Sequence, residues 1–187
     1  MNKLILLLFM VCPLCVLAQT DTLYNGHYTV VYSYVHNEPI LVTWKLYKQD
    51  LMGDGNRHGM SFRSDKRLQK PRVSSADYTN TGYQRGHMCP AADWPSDKRK
   101  MRATFLMSNI TPQAPALNVG RWKQDEILTR YYALQYDSVL IQCAPYFLRN
   151  TTKRIGKRRI SVPDGFWKSV RLLSSDSILF THFYDNK

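Results

Sequence analysis

Residues 83–130 concentrate side chains whose chemistry suits the cleavage of a phosphodiester. The stretch offers one imidazole, guanidinium groups, amides and a carboxylate. These candidates are Arg85, His87, Asn109, Gln113, Asn118, Glu126 and Arg130. Such a cleavage requires a base that activates water, positive charge facing the phosphoryl oxygens, and stabilisation of the leaving oxygen. The stretch therefore supplies the groups for a metal-assisted phosphodiester cleavage.

His87 is the candidate general base, because a neutral imidazole has an ordinary pKa of about 6.5 and can deprotonate water near neutral pH. Arg85 can hold a phosphate oxygen through two hydrogen bonds. Gly86, between them, would let the backbone approach a substrate closely. The alternative interpretation is a histidine with a purely structural role.

A long helix predicted over residues 117–135 would carry the metal-binding groups. Asn118, Trp122, Glu126 and Arg130 are four residues apart, so they share about one third of the helix circumference. Mg²⁺ prefers oxygen ligands and keeps most of its waters, so the Asn118 amide and a water-mediated Glu126 carboxylate can hold it. Alternatively, Asn118 caps the helix and Glu126 pairs with Arg130 on the surface.

The surrounding pattern predicts an α+β domain. Runs of β-branched and aromatic residues indicate a β-hairpin over residues 28–35 and 40–47. Further strands are predicted at 103–107, 138–147, 166–173 and 178–184, and a short helix near 96–101. The apolar stripe expected along the long helix consists of Val119, Trp122, Ile127, Leu128, Tyr131 and Leu134. Strands early and late around one long helix favour a largely antiparallel sheet flanked by helices.

The first eighteen residues have the pattern of a secretory signal. Lys3 precedes an apolar run over residues 4–17, and Ala18 provides a small residue before Gln19. A membrane anchor is the alternative, but the run is short and contains Pro13. We expect residues 1–18 to be removed, leaving residues 19–187 as one exported domain, periplasmic or extracellular, without a membrane attachment.

The chain is strongly basic, with a formal net charge of +12 that becomes +11 when Lys3 is removed (12 − 1). A basic exported protein without a long charge run favours an anionic partner: nucleic acid, an acidic glycan or a membrane surface. Arg57 begins a basic, irregular stretch over residues 57–72, which is either a solvated loop or a rim that contacts phosphate.

Two cysteines, Cys89 and Cys143, remain once the signal is removed. Export favours a disulfide between them. The alternative is a pair of buried free thiols that behave as small apolar side chains.

Several short motifs occur in the order and spacing of a known family. They are Arg85-Gly86-His87, Pro90-Ala91-Ala92-Asp93, Ser108-Asn109-Ile110-Thr111-Pro112-Gln113, Leu117-Asn118 with Trp122 and Glu126, and Val162-Pro163-Asp164-Gly165-Phe166. Together they resemble the DNA/RNA non-specific endonucleases, which have the ββα-metal (His-Me finger) fold. The resemblance covers most of the mature chain. It implies a secreted, Mg²⁺-dependent enzyme that cuts DNA and RNA to 5′-phosphate ends; Mn²⁺ or another divalent cation is the alternative cofactor.

The resemblance also implies a role for each candidate. His87 is the expected base, Asn118 the direct metal ligand, and Glu126 the residue that holds metal-bound water. Arg85 and Arg130 are expected to contact phosphate and the transition state. The complete set of predicted substrate-binding residues is Arg57, Arg85, Asn109, Gln113 and Arg130.

Two features depart from the family pattern. Gln84 stands where the family usually has an aspartate. The glutamine keeps an acceptor oxygen but lacks the negative charge, so we expect weaker metal binding or slower turnover. The chain stops at Lys187, where family members usually continue with another helical segment, so the sequence suggests a truncated C-terminus. The alternative function is therefore a catalytically impaired nucleic-acid-binding relative. A glycan- or membrane-binding protein would explain the charge but not the motifs.

Overall fold

A computed structural model describes residues 19–148 and 153–187 of the chain. The predicted signal, residues 1–18, lies outside the described residues. The strands are β1 (Thr20–Tyr24), β2 (Tyr28–Ser33), β3 (Glu38–Tyr47), β4 (Gln84–His87), β5 (Ile110–Gln113), β6 (Ser138–Tyr146), β7 (Arg154–Ile155), β8 (Ile160–Ser161), β9 (Gly165–Leu172) and β10 (Ile178–Asp185). The α-helices are α1 (Lys98–Ala103), α2 (Pro115–Val119) and α3 (Arg121–Tyr136). The predicted α+β class is confirmed.

An antiparallel sheet of six strands, in the order β1-β2-β3-β6-β9-β10, forms the centre of the fold. In β3, Val42, Trp44 and Leu46 are buried while Lys45 is exposed, so one sheet face packs into the core. The predicted hairpin is confirmed as β2–β3. The strands predicted over residues 138–147, 166–173 and 178–184 are confirmed as β6, β9 and β10.

The strand predicted over residues 103–107 is wrong. Asp97 caps α1, because its Oδ1 accepts hydrogen bonds from the backbone nitrogens of Arg99 (2.7 Å) and Lys100 (3.1 Å). The helix then runs to Ala103, confirming the short helix but leaving no room for a strand. Buried side chains in the following turn, such as Phe105, give this segment its strand-like apolar pattern.

The predicted long helix is two helices separated at Gly120. The backbone of Gly120 has φ −96° and ψ −115°, which lies outside the helical region. A Cβ atom at this position would lie 2.4 Å from the carbonyl oxygen of Ala116, so the close approach requires glycine. Asn118 therefore lies in α2, whereas Glu126 and Arg130 lie in α3.

The predicted apolar stripe is also wrong. Val119, Ile127, Tyr131 and Leu134 are exposed, and only Trp122 of the stripe is fully buried. The other buried positions of α3 are Asp125, Thr129 and Ala133.

The polar groups that α3 buries find partners on strand β10 and within the helix itself. Asp125 accepts hydrogen bonds from the Tyr184 hydroxyl and pairs with His182 Nδ1 at 2.7 Å. Thr129 donates to the Asp125 carbonyl at 2.6 Å. Burial of polar groups is tolerated here because each has a partner.

The predicted disulfide is wrong, since Cys89 and Cys143 are both free and fully buried. Cys143 Sγ lies 3.7 Å from the Met88 carbonyl oxygen. Burial raises the pKa of Cys143 to about 12, so the thiol stays protonated and unreactive. Both cysteines act as small core residues.

A second apolar cluster lies beneath the β4–β5 ribbon, separate from the main core. It contains Val73, Tyr78, Met107, Ile110, Ile155, Ile160 and Val162. The ribbon is thus supported by a cluster to which α3 contributes no buried residue. Within the described part of the chain, no helix is long and apolar enough to span a membrane.

Candidate active site

The β4–β5 ribbon, α2 and α3 enclose a cleft of about 510 Å³. Six of the eight predicted site residues line it: Arg57, Arg85, His87, Asn118, Glu126 and Arg130. Three elements that are separate in sequence therefore bring the predicted base, metal ligands and cations together.

His87 lies at the end of β4, with its ring between Phe62 and Phe105 at centroid distances of 5.2 and 4.9 Å. The Trp122 indole of α3 donates to the His87 carbonyl at 3.1 Å, which ties the ribbon to the helix. Burial, reinforced by the charge of Arg57, lowers the pKa of His87 to about 3. The imidazole is therefore neutral at pH 7, as a base must be.

Gln84 orients the predicted metal ligand. Its Oε1 accepts a hydrogen bond of 2.6 Å from Asn118 Nδ2. Because the amide nitrogen of Asn118 is engaged, its amide oxygen remains as the atom available to a cation. Gln84 has lost the family's charge, but it retains an acceptor at this position.

Glu126 lines the cleft without an ion pair among residues 19–148 and 153–187. Burial raises its pKa to about 7, and Asp93 adds to the rise while Lys168 and Arg130 oppose it. The alternative interpretation, a surface pair between Glu126 and Arg130, is wrong, because Arg130 Nη1 instead contacts Asp93 Oδ1 at 3.1 Å. The Glu126 carboxylate thus remains available to bind a cation or its water.

The buried carboxylate of Asp93 holds Arg130 in place. It also accepts a hydrogen bond of 2.9 Å from the Trp44 indole, so the central sheet fixes the position of this arginine. The sequence pattern places Asp93 within a motif but does not indicate this role. The feature of the sequence that could have indicated it is an acidic residue within an otherwise apolar loop.

Arg85 and Arg57 supply positive charge to the opposite wall. Arg85 donates to the Ser75 carbonyl at 2.6 and 3.2 Å, and its guanidinium lies 5.9 Å from the Phe62 ring centroid. Arg57 lies 5.5 Å from the Phe105 ring centroid. In the described chain neither arginine has a carboxylate within 4.0 Å, so their charge is available to an anion.

Two other basic residues of the stretch over residues 57–72 have structural contacts. Arg67 pairs with Asp65 at 2.5 Å, and Arg72 donates to the Leu68 carbonyl at 2.7 Å. Of its basic residues, Arg57 lines the cleft.

Asn109 is fully buried, which contradicts its predicted contact with substrate. Its Oδ1 accepts from the Cys89 nitrogen at 2.9 Å, and its Nδ2 donates to the carbonyls of Cys89 (2.8 Å) and Thr104 (2.9 Å). Asn109 therefore fixes the loop after His87, and contacts nothing in the cleft.

Gln113 is also fully buried and does not line the cleft, which corrects its assignment to substrate binding. A Cβ atom on Gly86 would lie 2.2 Å from Gln113 Oε1. Gly86 is thus required because Gln113 approaches it, rather than because a substrate does.

Sequence reasoning missed several residues of the cleft and its surroundings. Lys123 lines the cleft three residues before Glu126, a spacing that would have revealed it on a helix. Tyr83 also lines the cleft, but carried no chemical signal. Lys168 of β9 is 1% exposed, with its Nζ 3.9 Å from the Trp122 ring centroid, and its charge opposes the rise in the Glu126 pKa. Only the folded chain brings Lys168 to this place.

The donor set of the cleft fits a hydrated, hard divalent cation. One amide oxygen from Asn118 and one carboxylate from Glu126 face the same space, and Mg²⁺ is bound in proteins by few ligands plus water. Across the described residues, no group of three or more His, Cys, Asp or Glu side chains gathers as a chelating site. A fully protein-ligated zinc ion would require more such ligands.

Comparison with known proteins agrees with this geometry. The family model for DNA/RNA non-specific endonucleases matches residues 16–184. Mitochondrial endonuclease G of Bos taurus is 32% identical over 158 residues, which cover 79% of this chain and 53% of that protein. A nuclease of Nostoc sp. is 31% identical over 153 residues, 81% of this chain and 54% of that protein.

A crystal structure of the EndoG/EndoGI complex shares the fold, with a TM-score of 0.82 at 22% identity, covering 89% of this chain and 74% of that chain. The predicted ββα-metal nuclease fold is therefore confirmed. The chain spans about half the length of the curated relatives it matches. Because the family model covers nearly all of the described residues, the chain belongs to the DNA/RNA non-specific endonuclease family.

Proposed function

We propose that the protein is a metal-dependent endonuclease that hydrolyses phosphodiester bonds of DNA and RNA to 5′-phosphate ends. The observation that carries this proposal is that neutral His87, Asn118 and Glu126 line the same cleft. A base, a cation-binding pair and phosphate-binding arginines in one site suit phosphodiester hydrolysis better than binding alone.

In the proposed reaction, His87 takes a proton from a water whose oxygen attacks phosphorus. Arg57 and Arg85 face the phosphoryl oxygens as their negative charge grows. The bond between phosphorus and the 3′ oxygen breaks, and that oxygen takes up a proton from solvent while the phosphate stays on the 5′ end. Arg130, held by Asp93, contributes charge on the helix side.

A divalent cation bound by the Asn118 oxygen, with Glu126 holding one of its waters, would stabilise the charge on the phosphoryl and leaving oxygens. We propose Mg²⁺ as this cation, because the few oxygen donors leave most positions to water. Mn²⁺ has similar ligand preferences and is the alternative.

Substrate recognition is proposed to rest on the nucleic-acid backbone. The cationic lining of the cleft suits phosphate, which carries no base identity, so DNA and RNA should both be bound with little sequence preference. Binding through phosphate releases counterions, so affinity should fall steeply as salt rises.

We also propose that the protein is exported to the periplasm or beyond after removal of residues 1–18. The support is the signal-like pattern that ends at Ala18. The Bos taurus relative is described as mitochondrial. N-terminal sequencing of protein recovered outside the cytoplasm is expected to begin at Gln19; an intact Met1 there would contradict removal.

Plasmid nicking with Mg²⁺ and with excess EDTA tests the activity. The wild type is expected to nick only with the metal, and His87→Ala to be slower by at least about 100-fold, since general-base catalysis contributes about 10²–10⁴-fold. His58→Ala is the matched control, because His58 is exposed and does not line the cleft. A His87→Ala protein that nicks as fast as the wild type would overturn the proposal.

The second candidate is a nucleic-acid-binding relative with impaired catalysis, which the loss of the family charge at Gln84 favours. The same assay separates the two functions. A wild-type chain that retards plasmid DNA but leaves it uncut over a range of Mg²⁺ and Mn²⁺ would support this second candidate.

A further inference from the structure

The β7–β8 hairpin presents a dense group of cations beside the cleft. Between residues 153 and 159 it carries five basic residues, all exposed: Lys153, Arg154, Lys157, Arg158 and Arg159. Within the described ranges of the chain, none of these side chains has a carboxylate partner within 4.0 Å. An unneutralised group of this density favours contact with an anion.

The hairpin is fixed to the core, so its cations have a defined position. Ile155 and Ile160 are buried in the apolar cluster beneath the β4–β5 ribbon. The Arg158 backbone nitrogen donates to Asp77 Oδ1 at 3.1 Å. At Gly156, where φ is +64°, a Cβ atom would lie 2.4 Å from the Asp77 carbonyl oxygen. Both strands and the turn are thus held against the structure that supports the cleft.

Contacts at the cleft rim make the hairpin continuous with the catalytic wall. Lys153 Nζ lies 4.9 Å from the ring centroid of Tyr83, which lines the cleft. Asp77, which holds Arg158, belongs to the same short helix as Ser75, whose carbonyl accepts hydrogen bonds from Arg85. The positive charge of the cleft therefore extends past Tyr83 onto the hairpin.

We propose that the β7–β8 hairpin binds the sugar-phosphate backbone of the substrate strand outside the cleft, so that the preferred substrate is a polynucleotide rather than a short oligonucleotide. The proposal rests on the proposed function and adds the length of nucleic acid that the protein holds. Residues 153–157 extend over at most about 13 Å at about 3.3 Å per residue. At about 3.4 Å per phosphate along one strand of a duplex, this length faces about four phosphates.

Binding by the catalytically inactive full chain tests the proposal. In a His87→Ala background with Mg²⁺, fluorescence anisotropy would report the affinity for a labelled duplex of about 20 base pairs and for a single strand of about four nucleotides, near the smallest single-strand site sizes known. The hairpin variant is Lys157→Gln/Arg158→Gln, whose side chains make no hydrogen bond or ion pair in the described structure. The matched control is Lys45→Gln/Lys48→Gln, two exposed lysines that do not line the cleft.

The salt dependence of duplex binding is the decisive quantity. Removing one cation that binds a phosphate lowers the slope of log affinity against log salt by about 0.9, so the hairpin variant should show a slope smaller by about 1.8. Over a fourfold change in salt, that corresponds to about a tenfold smaller change in affinity. The control variant should keep the wild-type slope. For the short strand, the affinity of the hairpin variant should fall by less than about twofold, since the cleft alone holds it.

Equal slopes for the hairpin and control variants would overturn the proposal, as would a chain that binds no nucleic acid. These outcomes differ from failure of the proposed function. A wild type that binds through the hairpin but never cuts DNA would contradict the proposed endonuclease activity and leave the hairpin's role intact. A wild type that cuts DNA, with equal salt slopes for the hairpin and control variants, would contradict the hairpin's role and leave the endonuclease activity intact.

Discussion

The side chain of Asn118 is held by Gln84, and this contact determines which of its atoms faces the cleft. The hydrogen bond from Asn118 Nδ2 to Gln84 Oε1 is 2.6 Å. An aspartate at position 84 would retain an acceptor and add a negative charge close to the bound cation. Gln84 therefore preserves the orientation of the ligand but gives up electrostatic attraction for the metal.

Substitution at position 84 separates these two effects. Gln84→Asp is expected to lower the Mg²⁺ concentration for half-maximal nicking, because it restores the charge. Gln84→Leu is expected to raise it about fivefold, since one hydrogen bond contributes about 1 kcal/mol. Metal titrations of nicking, together with Mn²⁺ binding followed by electron paramagnetic resonance, measure both. An unchanged or higher Mg²⁺ requirement in Gln84→Asp would refute this account of Gln84.

At the level of single residues, chemical type and motif spacing were sufficient to place His87, Asn118 and Glu126 in one cleft. They could not reveal burial. Asn109 and Gln113 have the same polar chemistry as the cleft residues, but both are fully buried in the folded chain. Their hydrogen-bonding partners, or lack of them, depend on chain segments that meet only in the fold.

At the level of elements, α2 is fixed by a residue close to the end of the chain. Asn186 Oδ1 accepts from the Ala114 nitrogen at 2.7 Å, and Asn186 Nδ2 donates to the carbonyls of Pro112 and Pro163, both at 3.0 Å. Ala114 precedes α2, and its carbonyl accepts from the Asn118 backbone nitrogen at 3.0 Å. One side chain thus joins β5, the start of α2, which carries the proposed metal ligand, and the turn before β9.

Removing this clamp should weaken both folding and metal binding. Asn186→Ala is expected to cost about 1–3 kcal/mol, because buried groups lose their partners, and to lower Tm by about 2–10 °C. The Mg²⁺ requirement for nicking should also rise, since α2 is less well fixed. Thermal unfolding and metal titration measure the two effects. Lys187→Ala, at an exposed neighbour, is the control. A lower Tm with an unchanged metal requirement would limit Asn186 to a role in stability.

The helices show why elements were harder to predict than motifs. Period-based reasoning assumes that a helix buries its apolar face. However, α3 buries Asp125, because β10 supplies its hydrogen-bonding partners, and Thr129, which bonds to the Asp125 carbonyl within the helix. The exposed residues Ile127 and Tyr131 supplied most of the misleading signal. The strands were easier to predict, because β-branched and aromatic runs with turn residues between them are local features.

For the whole molecule, one buried carboxyl group acts electrostatically on both apolar clusters. Glu38 is fully buried, and its two carboxyl oxygens have no hydrogen-bond partner within the described residues. It is electrostatically coupled to Tyr32 of the main core and to Tyr78 of the second cluster. Burial raises the pKa of Glu38 well above its ordinary value, and the charge of Arg154 only partly opposes this. Burial therefore favours the protonated form of Glu38 in the folded protein.

This raised pKa makes stability depend on pH in a definite direction. The folded state holds the proton of Glu38 at pH values where the unfolded chain, with the ordinary pKa of 4.5, has released it. The stabilisation is complete below that value and is lost as pH rises towards the folded pKa.

Glu38→Gln removes this titration, so Tm of the variant minus Tm of the wild type should rise between pH 5 and pH 8. Asp54→Asn, at an exposed carboxylate, controls for the loss of one charge. Any constant cost of burying the new amide cancels in this comparison, because it is the same at both pH values. If the Tm difference between Glu38→Gln and the wild type were equal at pH 5 and pH 8, Glu38 would not cause the predicted pH dependence of stability.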